Sequence, residues 1–139
     1  MAAISFDSIV HYKVLDGNGD TASFLLFLTE LFQRINGRVC TIVMDNASFH
    51  RTQAVHDTVA QSGHSIMFLP PYSPFFNPIE FFFAQWKSFV AAENCTSHNE
   101  LLAAIDSVGN RVNPENLHNY FNHVNSNCVK CLQGETTFN

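Results

Sequence analysis

An α/β fold is predicted by three observations. Short strand-like runs alternate with helix-patterned runs in the order β-β-α-β-α-β-α, and helices follow to the end of the chain. The run "VCTIVM" at 39–44 is apolar without alternation, as a strand covered on both faces would be, and it leads straight into Asp45. The 139 residues are 46% hydrophobic and only 14% charged, which supports one folded domain with a real core and excludes a disordered chain.

Each element has a local reason. Residues 2–6 and 9–15 read as two short strands joined around Asp7 and Ser8, a hairpin. "DGNGD" at 16–20 is a turn cluster. From Thr21, Phe24, Leu25, Leu28, Leu31, Phe32 and Ile35 recur at helical spacing until Gly37 stops them. Residues 51–62 form a second helix with Val55 and Val59 inward and Gly63 as its stop, and "SIMFL" at 65–69 is another strand. Pro70, Pro71 and Pro74 forbid regular structure until Asn77 and Pro78 open a third helix. On that helix Ile79, Phe83, Trp86 and Val90 share one face, while Glu80, Ala84 and Lys87 share another. "SHNELLAAIDSV" starts with Ser97 and has Glu100 three residues on, and "NPENLHNYFNHV" repeats the Asn-Pro start at Asn113 and Pro114. The expected organisation is one domain over 1–139, with 97–139 as a C-terminal helical extension.

Composition narrows the function classes. No apolar run approaches the roughly 20 residues that span a bilayer. Asp7, Lys13, Asp16 and Asp20 interrupt the start, so no secretory signal is read there and an intracellular setting is expected. In that setting Cys40, Cys95, Cys128 and Cys131 are expected as free thiols; "CVKC", with His118 and His123 nearby as further ligands, is a weak zinc signal because it has no second well-spaced pair. The net charge is −5, with seven scattered basic residues, so the chain lacks the cationic run by which proteins hold DNA unaided.

Two carboxylates stand where α/β proteins place function. Asp45 ends a buried strand, and ligands of open α/β sheets bind outside the carboxyl ends of strands. Glu80 opens the helix that follows the next strand, and strands spaced about 4.8 Å apart can bring both acids to one metal. Hard oxygen donors suit Mg²⁺ or Mn²⁺. The residues alone also admit plainer roles: Glu80 as a helix-start residue reaching the cap amide, and Asp45 in "DNAS" as a turn former. His50 suits either a phosphate contact or a cap on the second helix.

"VMDNASFHRT" followed by "LPPYSPFFNPIEFFFAQWKSF" resembles the catalytic core of mariner-type DDE transposases, with 34 residues between Asp45 and Glu80, and the resemblance extends over about residues 2–125. It implies a ribonuclease H-like mixed sheet flanked by helices. It further implies three carboxylates holding two Mg²⁺ or Mn²⁺ ions for DNA cleavage and strand transfer. By the match Asp45 is the second carboxylate and Glu80 the third, both metal ligands, and Asn46, His50 and Lys87 are candidate substrate contacts. DNA is the implied partner, with a second copy or a longer transposase chain beside it and the nucleus as location in a eukaryote.

The first Asp of the triad belongs, in the family, to a central strand that precedes the hairpin, and this sequence begins inside the hairpin. The expectation is therefore an N-terminally truncated core, inactive alone. With two ions and a bridging phosphate, two carboxylates leave positive charge uncompensated. Two alternatives accompany this reading: a domesticated, non-catalytic interaction module, and a ribonuclease H-like nuclease that recruits Asp7, Asp16 or Asp20.

Overall fold

The computed structural model describes residues 1–15, 17–35, 37–109 and 111–135. Its elements are β1 (Ala2–Ile4), β2 (Ile9–Tyr12), α1 (Thr21–Ile35), β3 (Thr41–Met44), α2 (Gln53–Gln61), β4 (Ser65–Phe68), α3 (Pro78–Ala92), α4 (His98–Gly109) and α5 (Pro114–Leu132). Short 3₁₀ turns at Ser48–Arg51 and Pro74–Phe76 precede α2 and α3. The chain forms two compact units, Met1–Ala3 with Val10–Asn77, and Ile4–Ile9 with the chain from Pro78 onward.

In the first unit β3 and β4 run parallel, in register from Thr41 opposite Ser65 to Met44 opposite Phe68. The ladder continues at both ends, where Ser65 N–H donates to the Cys40 carbonyl at 3.1 Å and Leu69 N–H to the Met44 carbonyl at 2.9 Å. A parallel pair needs a crossover, which α2 supplies. Val55 and Val59 of α2 and Phe24, Phe27, Leu28 and Leu31 of α1 are buried together with Met44, with Ile42, Ile66 and Phe68 packed against them. The hairpin β1–β2 is a separate two-stranded sheet. It is tied to α1 through Glu30, which accepts from Lys13 Nζ at 2.7 Å and pairs with His11 Nε2 at 2.8 Å, while the His11 ring stacks on Phe27.

One expectation about β3 is corrected. Its apolar run suggested cover on both faces, yet the pleat alternates: Ile42 and Met44 turn toward the helices, while Val43 is 48% exposed and its partner Met67 is 56% exposed. Both helices that bury this sheet meet the same set of alternate side chains, so an apolar residue at the odd positions gains no neighbour from them. The first unit also differs at α2. Thr52 is extended (φ −73°, ψ 150°) and separates a 3₁₀ turn at Ser48–Arg51 from the α-helix, which begins at Gln53 and not at 51 as expected.

The second unit is built on aromatic packing. Phe82 and Trp86 of α3 are buried and meet edge to face at 4.8 Å, and Leu117 of α5 is 1% exposed. Phe82 extends the buried arc beyond the face expected from Ile79, Phe83, Trp86 and Val90, whereas Glu80, Ala84 and Lys87 are exposed as expected. Phe6, from the hairpin tip, stacks on His118 at 4.2 Å, and Tyr120 Oη donates to Gln85. Asn113 and Asn116 close a reciprocal capping box at the start of α5. Glu100 accepts from Thr96 N–H and Oγ, and Glu100 N–H donates to Ser97 Oγ, which fixes the start of α4. All four cysteines are free thiols. Among the described residues no helix is long and apolar enough to cross a membrane.

Two outcomes follow from these contacts. Leu28→Ala, which empties the centre of the first core, is expected to cost about 3 kcal/mol in urea unfolding. Bonding to Lys13, and secondarily to His11, holds the Glu30 carboxyl below the usual carboxylate range, and contacts with Ser23 and Thr96 do the same for Asp20 and Glu100. The folded state then binds fewer protons than the unfolded one. The stability these groups contribute is complete above the ordinary carboxylate pKa of about 4 and is lost as pH falls through the lowered folded values. Melting midpoints should drop across that acid window, and Glu30→Gln should flatten the drop.

Candidate active site

Asp45 is the first residue past β3, at the carboxyl end of the parallel pair. Its Oδ1 accepts two hydrogen bonds, from Ala47 N–H at 3.0 Å and from His50 Nδ1 at 2.7 Å. The 3₁₀ turn makes the second bond: His50 N–H donates to the Ala47 carbonyl at 3.0 Å, folding the ring back over the strand end. The carboxylate side chain remains 53% exposed, but the imidazole is only 15% exposed. Phe24 and Phe49 hold that ring, with centroids 4.3 and 4.4 Å away. Among the described residues Asp45 Oδ2 has no hydrogen-bond partner.

The neighbouring Asn46 does a different job. Its side-chain amide donates to the carbonyl of Leu69, the residue after β4, and so locks the ends of the two strands together. Beyond Leu69 the chain is stiffened by Pro70, Pro71 and Pro74, and Tyr72 between them takes a left-handed conformation (φ 56°) with its side chain fully exposed. Asn77, 8% exposed, donates its N–H to the Pro74 carbonyl at 2.9 Å and passes the chain into α3 at Pro78.

Glu80 lies in the first turn of α3, exposed, in the second unit. The reading as a cap partner fails here, because the Glu80 carboxylate has no hydrogen-bond or ion-pair partner among the described residues. It stands instead at the positive end of the helix, where an anion is favoured. Lys87, two turns along the same face, is also exposed. Asp45 Oδ2 and the Glu80 carboxylate thus have no hydrogen-bond partner among the described residues, and carboxylate oxygens are the hard donors that Mg²⁺ or Mn²⁺ prefers. No group of three His, Cys, Asp or Glu side chains converges as a metal cluster among the described residues.

The other acids weighed for the site have local partners. Asp20 Oδ1 caps α1 by accepting from Ser23 N–H at 2.8 Å and Ser23 Oγ at 2.7 Å. Asp7 accepts from Ser5 Oγ at 2.8 Å in the hairpin loop, and Asp16 lies outside the described residues. The Asp45–His50 pair was not foreseen from sequence. Its signal is the spacing of five positions in "DNASFH", which a 3₁₀ turn converts into contact.

The family model described as "DDE superfamily endonuclease" matches residues 1–102. The structure of the Mos1 transposase catalytic domain with raltegravir and Mn is similar with a TM-score of 0.86 at 17% identity, over 99% of this chain and 75% of that one. The crystal structure of the catalytic domain of Mos1 mariner transposase gives 0.84 at 17% identity, over 96% and 71%. The Mos1 transposase paired-end complex with left transposon end gives 0.85 at 19% identity, over 99% of this chain and 44% of that one. No curated protein matches the sequence. These likenesses show the fold, an α/β arrangement of the ribonuclease H-like kind.

Because the Glu80 carboxylate is exposed and has no partner among the described residues, Glu80→Gln should change the unfolding free energy by no more than about 0.5 kcal/mol. Asn46→Ala, which strips the Leu69 carbonyl of its donor, should cost about 1 kcal/mol in the same urea titration.

Proposed function

The chain belongs to the DDE superfamily of endonucleases, and from that premise we propose that it is the catalytic core of a mariner-type transposase. In this reading Asp45 and Glu80 are metal-holding catalytic carboxylates for DNA phosphodiester cleavage and strand transfer. The observations that carry the proposal are an exposed carboxylate directly after β3 and a second exposed one, without a hydrogen-bond or ion-pair partner among the described residues, in the first turn of α3. When bound, a divalent cation supplies the charge that neutralises a reacting phosphate and lowers the proton affinity of an attacking oxygen.

The chain's own residues do the rest. Ala47 N–H and the His50 ring fix the Asp45 carboxylate at the strand end. Asn46 keeps that end in place against Leu69. The three prolines restrict the approach to α3, so Glu80 is presented from a helix terminus. Lys87, seven residues along and therefore about 10 Å further up the helix, offers an ammonium to a neighbouring phosphate. DNA is the substrate in this reading, which places the protein in the nucleus of a eukaryotic cell.

These 139 residues carry two of the family's three carboxylates, and Asp20 is committed to its cap. By themselves they do not cleave DNA in this reading. The net charge of −5 opposes the approach of a polyanion, so binding relies on the cation and on positive surface from a second copy or a longer transposase chain.

Two assays test the proposal. Fluorescence anisotropy of a labelled DNA duplex should show affinity that rises on adding Mn²⁺, and the rise should vanish in Asp45→Asn and Glu80→Gln. An unchanged rise in either variant removes that residue from the site. Nicking of supercoiled DNA by the 139-residue chain should be absent with Mn²⁺, and turnover that disappears in Glu80→Gln would refute the inactivity.

A further inference from the structure

We propose that His50 is a positioning residue that decides which oxygen of Asp45 is offered to a divalent cation. The inference rests on the reading of Asp45 as a metal-holding carboxylate and extends it to a neighbour for which that reading suggested only a DNA contact.

A carboxylate has two equivalent oxygens and rotates about its last bond, so an exposed aspartate at a strand end presents either one. Here the equivalence is broken. Ala47 N–H and His50 Nδ1 both lie on Oδ1, at 3.0 and 2.7 Å, and Oδ2 has no partner among the described residues. A carboxylate only accepts, so Nδ1 carries the hydrogen and donates it. The Nδ1–H form is sufficient for this bond whatever the charge of the ring.

The donor is itself held. Phe24 lies tilted against the imidazole at 4.3 Å, Phe49 meets it edge on at 4.4 Å, and the side chain is only 15% exposed. Phe24 comes from the buried face of α1, and Phe49 and His50 from the 3₁₀ turn, so the ring is braced by two elements. Its Nδ1 edge faces the acid, and that edge is not free for substrate. A hydrogen-bond donor behind a metal-binding group orients that group, and losing such a partner typically weakens metal affinity by about 10- to 100-fold.

The test separates donation from packing with two opposed variants. His50→Phe keeps a ring between Phe24 and Phe49 but has no donor. His50→Asn loses the ring but places an amide N–H near the Nδ1 position. Mn²⁺ affinity from titration calorimetry of the 139-residue chain should fall about tenfold or more in His50→Phe and stay within about threefold of the parent in His50→Asn, while the urea midpoint follows the reverse order. Affinity that tracks the midpoint instead would mean a purely structural ring and would overturn the proposal. Long-range ¹H–¹⁵N NMR without metal should show the Nδ1–H tautomer at His50, and an Nε2–H tautomer would overturn it independently of any cation. Asp45→Asn distinguishes the two levels. Mn²⁺ affinity unchanged in that variant ends the reading of Asp45 as a ligand and the inference with it. Affinity lost there but retained in His50→Phe ends only the role of His50.

Discussion

Parallel pairing of β3 with β4 is the constraint on which the first unit depends. Two strands that run the same way finish at the same edge, and both must be left by chain that turns outward. Met44 is matched with Phe68, and the Leu69 amide closes the ladder on the Met44 carbonyl, so the next residue of β3 is the first that no strand bond claims. That residue is Asp45. Asn46 then returns a side-chain bond to the Leu69 carbonyl, so the edge that exposes the acid is also pinned across the two strands. The core beneath it, from Phe24 to Val59, is what keeps the strands side by side, since two isolated strands in water would not persist.

The same arrangement explains how one short segment combines a rigid scaffold with an exposed carboxylate. Burial stops at Met44, 6% exposed, and one residue later the side chain faces solvent. The 3₁₀ turn carries Phe49 and His50 back over the strand end, where apolar ring contacts brace a polar bond. At α3 the order is reversed. A proline-stiffened approach precedes α3, the acid comes in the first turn, and the buried Phe82 and Trp86 anchor the helix behind it.

Much of this is legible in the sequence wherever the signal is local. The apolar run ending at Asp45, the proline punctuation from 70 to 78, the Asn-Pro helix starts and the stop at Gly63 all depend on neighbours within a few residues, and the elements lie where those signals place them. What the sequence hides depends on distant partners. Val43 is as apolar as Ile42, and only the side from which α1 and α2 approach makes one exposed and the other half-buried. Phe82 sits among three successive phenylalanines, and which of them reaches the centre is set by α4 and α5 rather than by spacing. The final helix outruns its apolar pattern. α5 continues through "NSNCVKCL" to Leu132, beyond the stretch at 113–124 where the periodicity is clear, because no glycine or proline interrupts it before Gly134. The His50 partner was hidden for a further reason: a 3₁₀ turn changes which spacings make contact, and short 3₁₀ turns have little sequence signature.

The proposed site needs one cation to be shared by residues from the ends of two different elements. Paramagnetic broadening by Mn²⁺ in the ¹H–¹⁵N spectrum of the chain reports on that sharing directly. The amides around Asp45 and those around Glu80 should broaden together, at the same low Mn²⁺ concentration, and Asp45→Asn should relieve both sets. Broadening confined to one set, or sets that respond at separate concentrations and independently of the other acid, would contradict that sharing.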